Sequence, residues 1–399
     1  MNSSNKPTLL ILAASHYQCE AIRTARRLGY RVVTTDNRPD NPGHRLADAC
    51  HQVDTTDRAG VLAIARAEEI AGVLAPCTDV AMPTAAYVAG ALRLRGPSVA
   101  STTTACDKTL FRQFLERHHF PVPKWQELHR TEDPQLAWLG DGRWIVKPSQ
   151  SSGSKGIVVV ESEEELRAAL PAAMAFSKSG EALIEQFLDG HQGTLEGWLR
   201  AGAIAWHCLF DRSTAALPHT ATHGHATPSR LSAAQSAAVL ATVTRLWREL
   251  GVSDGPFDCD FVVLGHTVYI LEVSPRLGGN AICELVHSAF EFDLVEHTVR
   301  WACGEAATLL PTSAPQPRAI VLLGTTTAGR LRYEEAEAAA LTREPWVESL
   351  QWDAPPGTPV LPFTDGRHRV GQALLTAADR DELDARVREL RKRLHITAE

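Results

Sequence analysis

Two acidic residues, Asp260 and Glu272, interrupt the apolar stretch "DCDFVVLGHTVYILEVSPRLGG" at residues 258–279, twelve positions apart across the turn "LGHT". On two antiparallel strands an even separation is compatible with both side chains on one face of the ladder, as near cross-strand neighbours. Carboxylates so placed in an apolar setting repel one another unless a cation sits between them. Mg2+ is the hard ion that takes one or two carboxylates and fills its remaining positions with water and nucleotide phosphates. The competing reading is an edge hairpin with one wet face, on which both acids alternate with Val262, Val268 and Ile270.

A second stretch, "WIVKPSQSSGSKGIVVV" at 144–160, sets Lys147 on an apolar strand ahead of a small-residue loop with Gly153 and Gly156. Small residues let backbone amides close over phosphate oxygens, and the lysine adds a point charge beneath them. No Gly-Lys-Ser/Thr opens a helix here, so this is not a Walker A loop. An exposed hairpin loop with a snorkelling lysine is the alternative. His219, His223 and His225 lie in "LPHTATHGHATPSR", which lacks a third well-spaced metal ligand and reads as a mobile loop lining a pocket. Acidic neighbours would raise rather than lower the thiol pKa of Cys259, which reads as a core residue.

These groups need a scaffold. The chain has 399 residues, 44% of them hydrophobic, enough for two or three domains. A net charge of −7 without a basic field argues against nucleic acid as a partner. Eight cysteines without a CxxC pair read as reduced thiols of a cytoplasmic protein. No apolar run approaches the roughly 20 residues of a membrane span. From residue 7 to about 105, apolar strands alternate with helical segments, the pattern of βαβ units around a parallel sheet. The first turn, "ASHYQ", lacks the glycines of a dinucleotide site, so Asp36 after the second strand reads as a turn residue and NAD is not expected. "SVASTTTAC" reads as a polar turn ahead of a helix near Asp107 to His118, and the proline-rich "LLPTSAPQPRA" at 309–319 as a linker.

Five motifs in order, "CDK" at 106–108, "IVKPSQSSGSKG" at 145–156, "LIEQFLDGHQGTLEG" at 183–197, "DCDFVV" at 258–263 and "LEVSPRLGG" at 271–279, resemble the ATP-grasp superfamily, over nearly the whole chain. The resemblance is to its carboxylate–amine (peptide or amino-acid) ligases, with a biotin-carboxylase-like three-domain layout. It implies a mixed α/β and α+β fold. Residues 1–105 would be a Rossmann-like pre-ATP-grasp domain, 106–310 the ATP-grasp domain with a lid at about 125–188, and 311–399 a small C-terminal α/β domain. ATP and Mg2+ are the implied cofactors, with Mn2+ as an alternative metal. Lys108 and Lys147 would contact phosphates under a lid loop that includes Ser151, Ser152, Gly153, Ser154 and Gly156. Glu185 and the backbone of Gln186, Phe187 and Leu188 would hold adenine, and Gln192, or the nearby Glu196, the ribose. Asp260 and Glu272 would bind the metal, together with Ser274, which stands where the family usually has asparagine and puts a second metal position in question.

Arg276 would neutralise the transferring phosphate, with Lys147 as the other catalytic residue; Gly278, Gly279, His225 and Arg230 would meet substrate. The implied reaction joins a carboxylate to an amine through an acyl phosphate, with amino acids as expected substrates. The alternatives are a purine-biosynthetic or carboxylase-type member and an inactive ATP-binding protein. The implied partners are a small acid and a small amine, with a homodimer as a family expectation.

Overall fold

The computed structural model describes residues 7–129, 142–305 and 310–399. Residues 1–6 of the expected first domain, 130–141 of the expected lid and residue 309 of the linker lie outside them.

Strands β1 (Thr8–Leu12), β2 (Arg31–Thr35), β3 (Ala49–His51) and β4 (Ile70–Leu74) form a parallel sheet in the order β3-β2-β1-β4. All five residues of β1, "TLLIL", are buried, as expected for a strand covered on both faces. Helices α1 (Cys19–Arg27), α2 (Arg58–Ala67) and α3 (Met82–Leu92) accompany it. Asp36 closes β2 as a turn residue, accepting from the amides of Ala14 and Arg38 at 2.9 Å each.

The expected polar turn is a helix, α4 (Val99–Cys106), which Ser98 caps by accepting from the Ser101 amide. Its Ser and Thr residues are poor helix formers, and the cap with tertiary packing outweighs them. Asp107 then caps α5 (Lys108–Arg117), accepting from the Leu110 amide. Lys108, Phe111, Arg112 and Leu115 fall on the buried side of α5.

A four-stranded antiparallel sheet follows, ordered β5-β8-β6-β7, from β5 (Trp125–Leu128), β6 (Trp144–Pro148), β7 (Val158–Val160) and β8 (Ala182–Gln186). Helix α6 (Glu163–Phe176) covers it around a small core that includes Val146, Leu166 and Ile184. The 149–157 loop joins β6 to β7.

An eight-stranded antiparallel sheet forms the centre. It takes β9 (His191–Arg200), β10 (Ala203–Thr214), β11 (Thr222–Thr227), β12 (Gly255–Leu264) and β13 (Thr267–Ser274). The expected His-rich loop is therefore partly a strand: β11 pairs with β10 and β14 (Arg318–Leu323), which fixes His223 and His225. Beyond β14 come β15 (Gly329–Arg332), β16 (Val347–Trp352), β17 (Pro359–Val360), β18 (Gly371–Thr376) and β19 (Thr397–Ala398). The sheet order is β13-β12-β9-β10-β11-β14-β18-β16, so one ladder runs continuously across the proline-rich linker.

Helix α7 (Ala233–Leu250) and α5 pack on one face of this sheet around Phe257, Cys259 and Phe261. Helices α8 (Ile282–Phe290) and α9 (Leu294–Ala302) share the other face's core with Leu9 and Ile11 of β1 and with Ile320 and Leu374. Helices α10 (Glu335–Leu341) and α11 (Arg380–Leu394) close a C-terminal core that includes Leu331 and Leu383. Among the described residues no helix is long and apolar enough to cross a membrane.

Candidate active site

The parallel sheet, the β5–β8 sheet, the central sheet and the turn 363–369 enclose a cleft of about 410 Å³. The β12–β13 hairpin forms its floor. From the turn outward the ladder pairs Leu264 with Thr267 and Phe261 with Ile270, but then shifts register so that Asp260 faces Glu272. Continued without the shift, Asp260 would pair with Leu271, and Glu272 would fall on the opposite face with the core residues. The even spacing alone therefore does not bring the acids together; a β-bulge at Leu271 does. Val268 and Ile270, which the competing wet-hairpin reading set among the acids, lie in the core under the sheet.

Arg112 fixes this bulge from α5. Its guanidinium donates to the carbonyls of Leu271 (3.0 Å) and Ile270 (3.5 Å), and also to Glu185 of β8 (2.9 and 3.2 Å). Lys147 makes the second ion pair to Glu185, at 2.7 Å. Burial disfavours the Glu185 charge, but Arg112 and then Lys147 outweigh it and hold the carboxyl down at about 2. The Lys147 pKa is lowered too, to about 8, which here disfavours the charge: burial costs it, and the single carboxylate it gains is shared with Arg112. Lys108 donates to Glu272 (2.7 Å) and to the Ser151 carbonyl (3.1 Å). Burial lowers its pKa, but the Glu272 charge prevails and the net shift is upward. With Arg212 3.5 Å from Asp260, which faces Glu272, four cations thus meet three carboxylates at this end of the cleft, a surplus suited to phosphate.

The loop contributes Ser151, Ser152, Gly153 and Ser154 to the cleft wall, while Gly156 turns away against Phe176. Gln186, Phe187, Leu188 and Gln192 line it as well. The Gln186 and Phe187 amides donate to the Lys124 and Arg143 carbonyls, which leaves the Leu188 amide without an acceptor among the described residues. Glu185, expected at adenine, has both oxygens committed to Arg112 and Lys147. Glu196, weighed for the ribose, is fully buried beneath Gly278, whose amide donates to it at 3.1 Å. Burial, then the facing Asp258, pushes the Glu196 carboxyl up.

Of the expected metal ligands, Asp260 accepts from Thr194 (2.5 Å) with Arg212 3.5 Å away, and Glu272 holds Lys108. Ser274 is buried and is not part of the cleft wall. No group of three or more His, Cys, Asp or Glu side chains placed to hold a metal occurs among the described residues. Two same-face carboxylates that open onto a phosphate-suited cleft match the donor set of Mg2+, which draws its other ligands from water and phosphates.

At the far end, Arg276 lies between Asp79 (2.6 and 3.0 Å) and Asp258 (2.9 Å). His225 is buried in the wall with neither ring nitrogen hydrogen-bonded among the described residues, and burial followed by Arg212 lowers its pKa to about 3. Gly279 lines the cleft; Gly278 does not, since a Cβ there would come within 2.6 Å of Glu196. Arg230, expected at the substrate, is not part of the cleft wall: it lies on the surface and binds Asp381 and Asp384 of α11. Sequence reasoning missed Arg112, Asp79, Asp258 and Arg212. Only Arg112 left a signal, as a charged residue at helical spacing among Lys108, Phe111 and Leu115.

A lysine-floored, loop-covered cleft between two antiparallel sheets, with paired acids from a bulged hairpin, is suited to a nucleotide and its metal, and the comparisons agree: the chain carries an ATP-grasp domain of ligase type. Residues 143–284 match the family profile of the ATP-grasp domain, and residues 326–399 that of L-amino acid ligase C-terminal domain 2. ATP-grasp enzymes use ATP and Mg2+.

Among curated relatives, a formate-dependent phosphoribosylglycinamide formyltransferase of Burkholderia lata is 26% identical over 402 residues, covering 97% of this chain and 94% of the relative. The L-amino acid ligase of Bacillus licheniformis superposes with a TM-score of 0.82 at 19% identity, covering 100% of both chains. Phosphoribosylglycinamide synthetase from Anaerococcus prevotii gives 0.75 at 17% identity, covering 99% of this chain and 100% of that one. At these identities the structural likenesses speak to fold alone.

Proposed function

We propose that this enzyme joins the carboxylate of an amino acid to an amine at the expense of ATP, giving an amide or peptide bond, ADP and phosphate. The observation that carries the reading is the single cleft in which Lys108, Lys147, the 151–154 loop, the Asp260–Glu272 pair and Arg276 converge. The match to L-amino acid ligase C-terminal domain 2 supports amino acids as substrates.

The adenine would lie against Ile145 and Leu271 with the Leu188 amide as its donor, and Gln192 would meet the ribose; all four residues line the cleft. Lys108, Lys147 and the loop amides hold the phosphates. Asp260 and Glu272 would hold Mg2+, which when bound would neutralise phosphate charge. An oxygen of the substrate carboxylate attacks the γ-phosphorus, the bond to the β-phosphate oxygen breaks, and ADP leaves. Arg276 steadies the negative charge of the acyl phosphate. The amine nitrogen then attacks the acyl carbon, phosphate leaves with the bonding pair, and the nitrogen gives up a proton. The chain contributes position and charge rather than a nucleophile. Residues 1–105 wall the acid and amine side, 106–310 hold the nucleotide, and 311–399 close the cleft with the turn 363–369.

The test is ADP and phosphate release with pairs of amino acids, with hydroxylamine added to trap the acyl phosphate as a hydroxamate. Hydroxamate formed from an amino acid supports the reading; ATP binding without hydroxamate from any acid overturns it. The relatedness to a formate-dependent formyltransferase favours a second reading, a purine-biosynthetic acid and amine. ADP release with formate and a ribosylated glycinamide, and not with amino acids, would select it.

A further inference from the structure

The Arg276 end of the cleft carries its own charge pattern. One guanidinium stands between two carboxylates, where the Lys108–Lys147 end holds more cations than acids. Asp79 comes from the loop after β4, in the parallel sheet, and this loop is fastened to the hairpin's exit. The Cys77 amide donates to the Leu277 carbonyl at 3.2 Å, and the Cys77 thiol to the Gly278 carbonyl at 3.1 Å. Arg276 Nε and Nη2 both reach the same oxygen, Oδ1 of Asp79, at 3.0 and 2.6 Å. Oδ2 accepts no hydrogen bond among the described residues, although Asp79 lines the cleft and its side chain is only 12% exposed. Arg276 keeps a separate hold on Asp258 and on the Leu277 carbonyl through Nη1.

We propose that Asp79 receives the α-ammonium group of the amino acid whose carboxylate is activated, and so selects amino acids over plain carboxylic acids. This rests on the ligase reading above. Asp79 and Arg276 satisfy one another. A substrate carboxylate placed for phosphorylation competes for Arg276 and takes its charge away from Asp79. A plain acid would leave Asp79 a nearly buried carboxylate without a counterion, an arrangement that is strongly unfavourable. An α-amino acid supplies the replacement, because its ammonium lies one carbon from the carboxylate and Asp79 is in direct contact with the carboxylate's anchor. The exchange gives the substrate a direction: carboxylate toward the lysines and metal acids, ammonium toward the parallel sheet.

The test measures hydroxamate and ADP formation by the full chain with hydroxylamine as the amine. Each L-amino acid is compared with its des-amino counterpart, for example leucine with 4-methylpentanoate, and with its N-acetyl derivative, which keeps the side chain and loses the charge. The native enzyme should favour the free amino acid in kcat/KM by about ten-thousandfold, the discrimination of a site built around a substrate's polar group. Asp79→Asn should erase that preference by raising KM for the amino acid while turnover of the des-amino acid persists, which also reports that the variant is folded. Asp79→Glu should keep the preference.

Equal loss of both acids in a folded Asp79→Asn variant, or an unchanged preference, overturns the proposal. So does a native enzyme that accepts N-acetyl and free amino acids alike, a result that needs no variant. Absence of hydroxamate from every acid with the native enzyme overturns the ligase reading itself, and this proposal with it.

Discussion

Lys147 shares its one carboxylate with Arg112, and this sets a pH dependence at the scale of a single residue. Its folded-state pKa, lowered to about 8 by burial, means that the ligand-free enzyme loses this charge well below the usual lysine range. Phosphate favours the charged form, so ATP binding takes up a proton above that pH and affinity falls as pH rises. KM for ATP should be flat below about pH 8 and climb above it, whereas Lys147→Arg, which does not deprotonate, should flatten the climb. A steady-state pH series on both enzymes checks this. Glu272 is held at about 2, where the Lys108 charge outweighs the burial that would raise it. Glu272→Gln keeps a hydrogen-bond acceptor for Lys108 but removes a metal charge. It should cut ADP release by about a hundredfold or more, since metal charge stabilisation is worth several kcal/mol, with an unchanged far-ultraviolet circular dichroism spectrum.

Among the elements, α5 does more than cover the sheet. Arg112 is fully buried and ties α5 to β8 through Glu185 and to β13 through the carbonyls at the bulge. Removing one member of a buried charge network leaves desolvated partners behind, at about 3–5 kcal/mol. Lys147 remains on Glu185, so Arg112→Leu should destabilise by about 3 kcal/mol, the lower end of that range, read from the urea midpoint. Arg112→Lys should not restore it fully, because an ammonium cannot span a carboxylate and two carbonyls in one plane. The same variant should weaken activity beyond its stability cost, since the carbonyls it releases are those that hold Glu272 on the cleft face.

In the whole molecule, the C-terminal residues form part of the cleft. The Gly366 amide donates to the Gly153 carbonyl at 3.0 Å, and the Arg367 guanidinium lies 5.0 Å from the Phe176 ring centre. The phosphate-facing loop thus rests against a turn more than two hundred residues away. Arg367 is half exposed, so its contact is worth about 0.5–1 kcal/mol, and Arg367→Ala should raise KM for ATP about two- to fivefold. Truncation after residue 310 should do far more. It strips β14 from the edge of β11 and removes Ile320, Leu322, Phe363 and Leu374 from the core shared with β1. The remaining chain should express as aggregate, the outcome for an unpaired edge over an opened core, as fractionation of the lysate would show.

The amino-acid sequence by itself determined the class. Parallel strands were legible because they are continuous apolar runs, and the lysine strand, the small-residue loop and the order of the five motifs required no coordinates. Lys147, Asp260 and Glu272 are legible from residue type and order, Lys108 and Arg276 through the resemblance of the ordered motifs, and all five line one cleft. What the sequence could not carry were relations between distant segments. Arg230 is as basic as Arg276, yet α11 claims it, and nothing near Pro228 or Leu231 records that. Asp79 and Arg276 are 197 positions apart, and their contact exists only because the β4 loop is fastened beside the hairpin's exit. The clearest case is the hairpin. Counting placed Asp260 and Glu272 on one face, but a regular ladder from that turn would part them; the extra residue at Leu271, held by Arg112, sets them opposite each other. Side chains alternate with a period of two, so a one-residue shift in register decides which face a carboxylate occupies. That shift is a property of the packed chain.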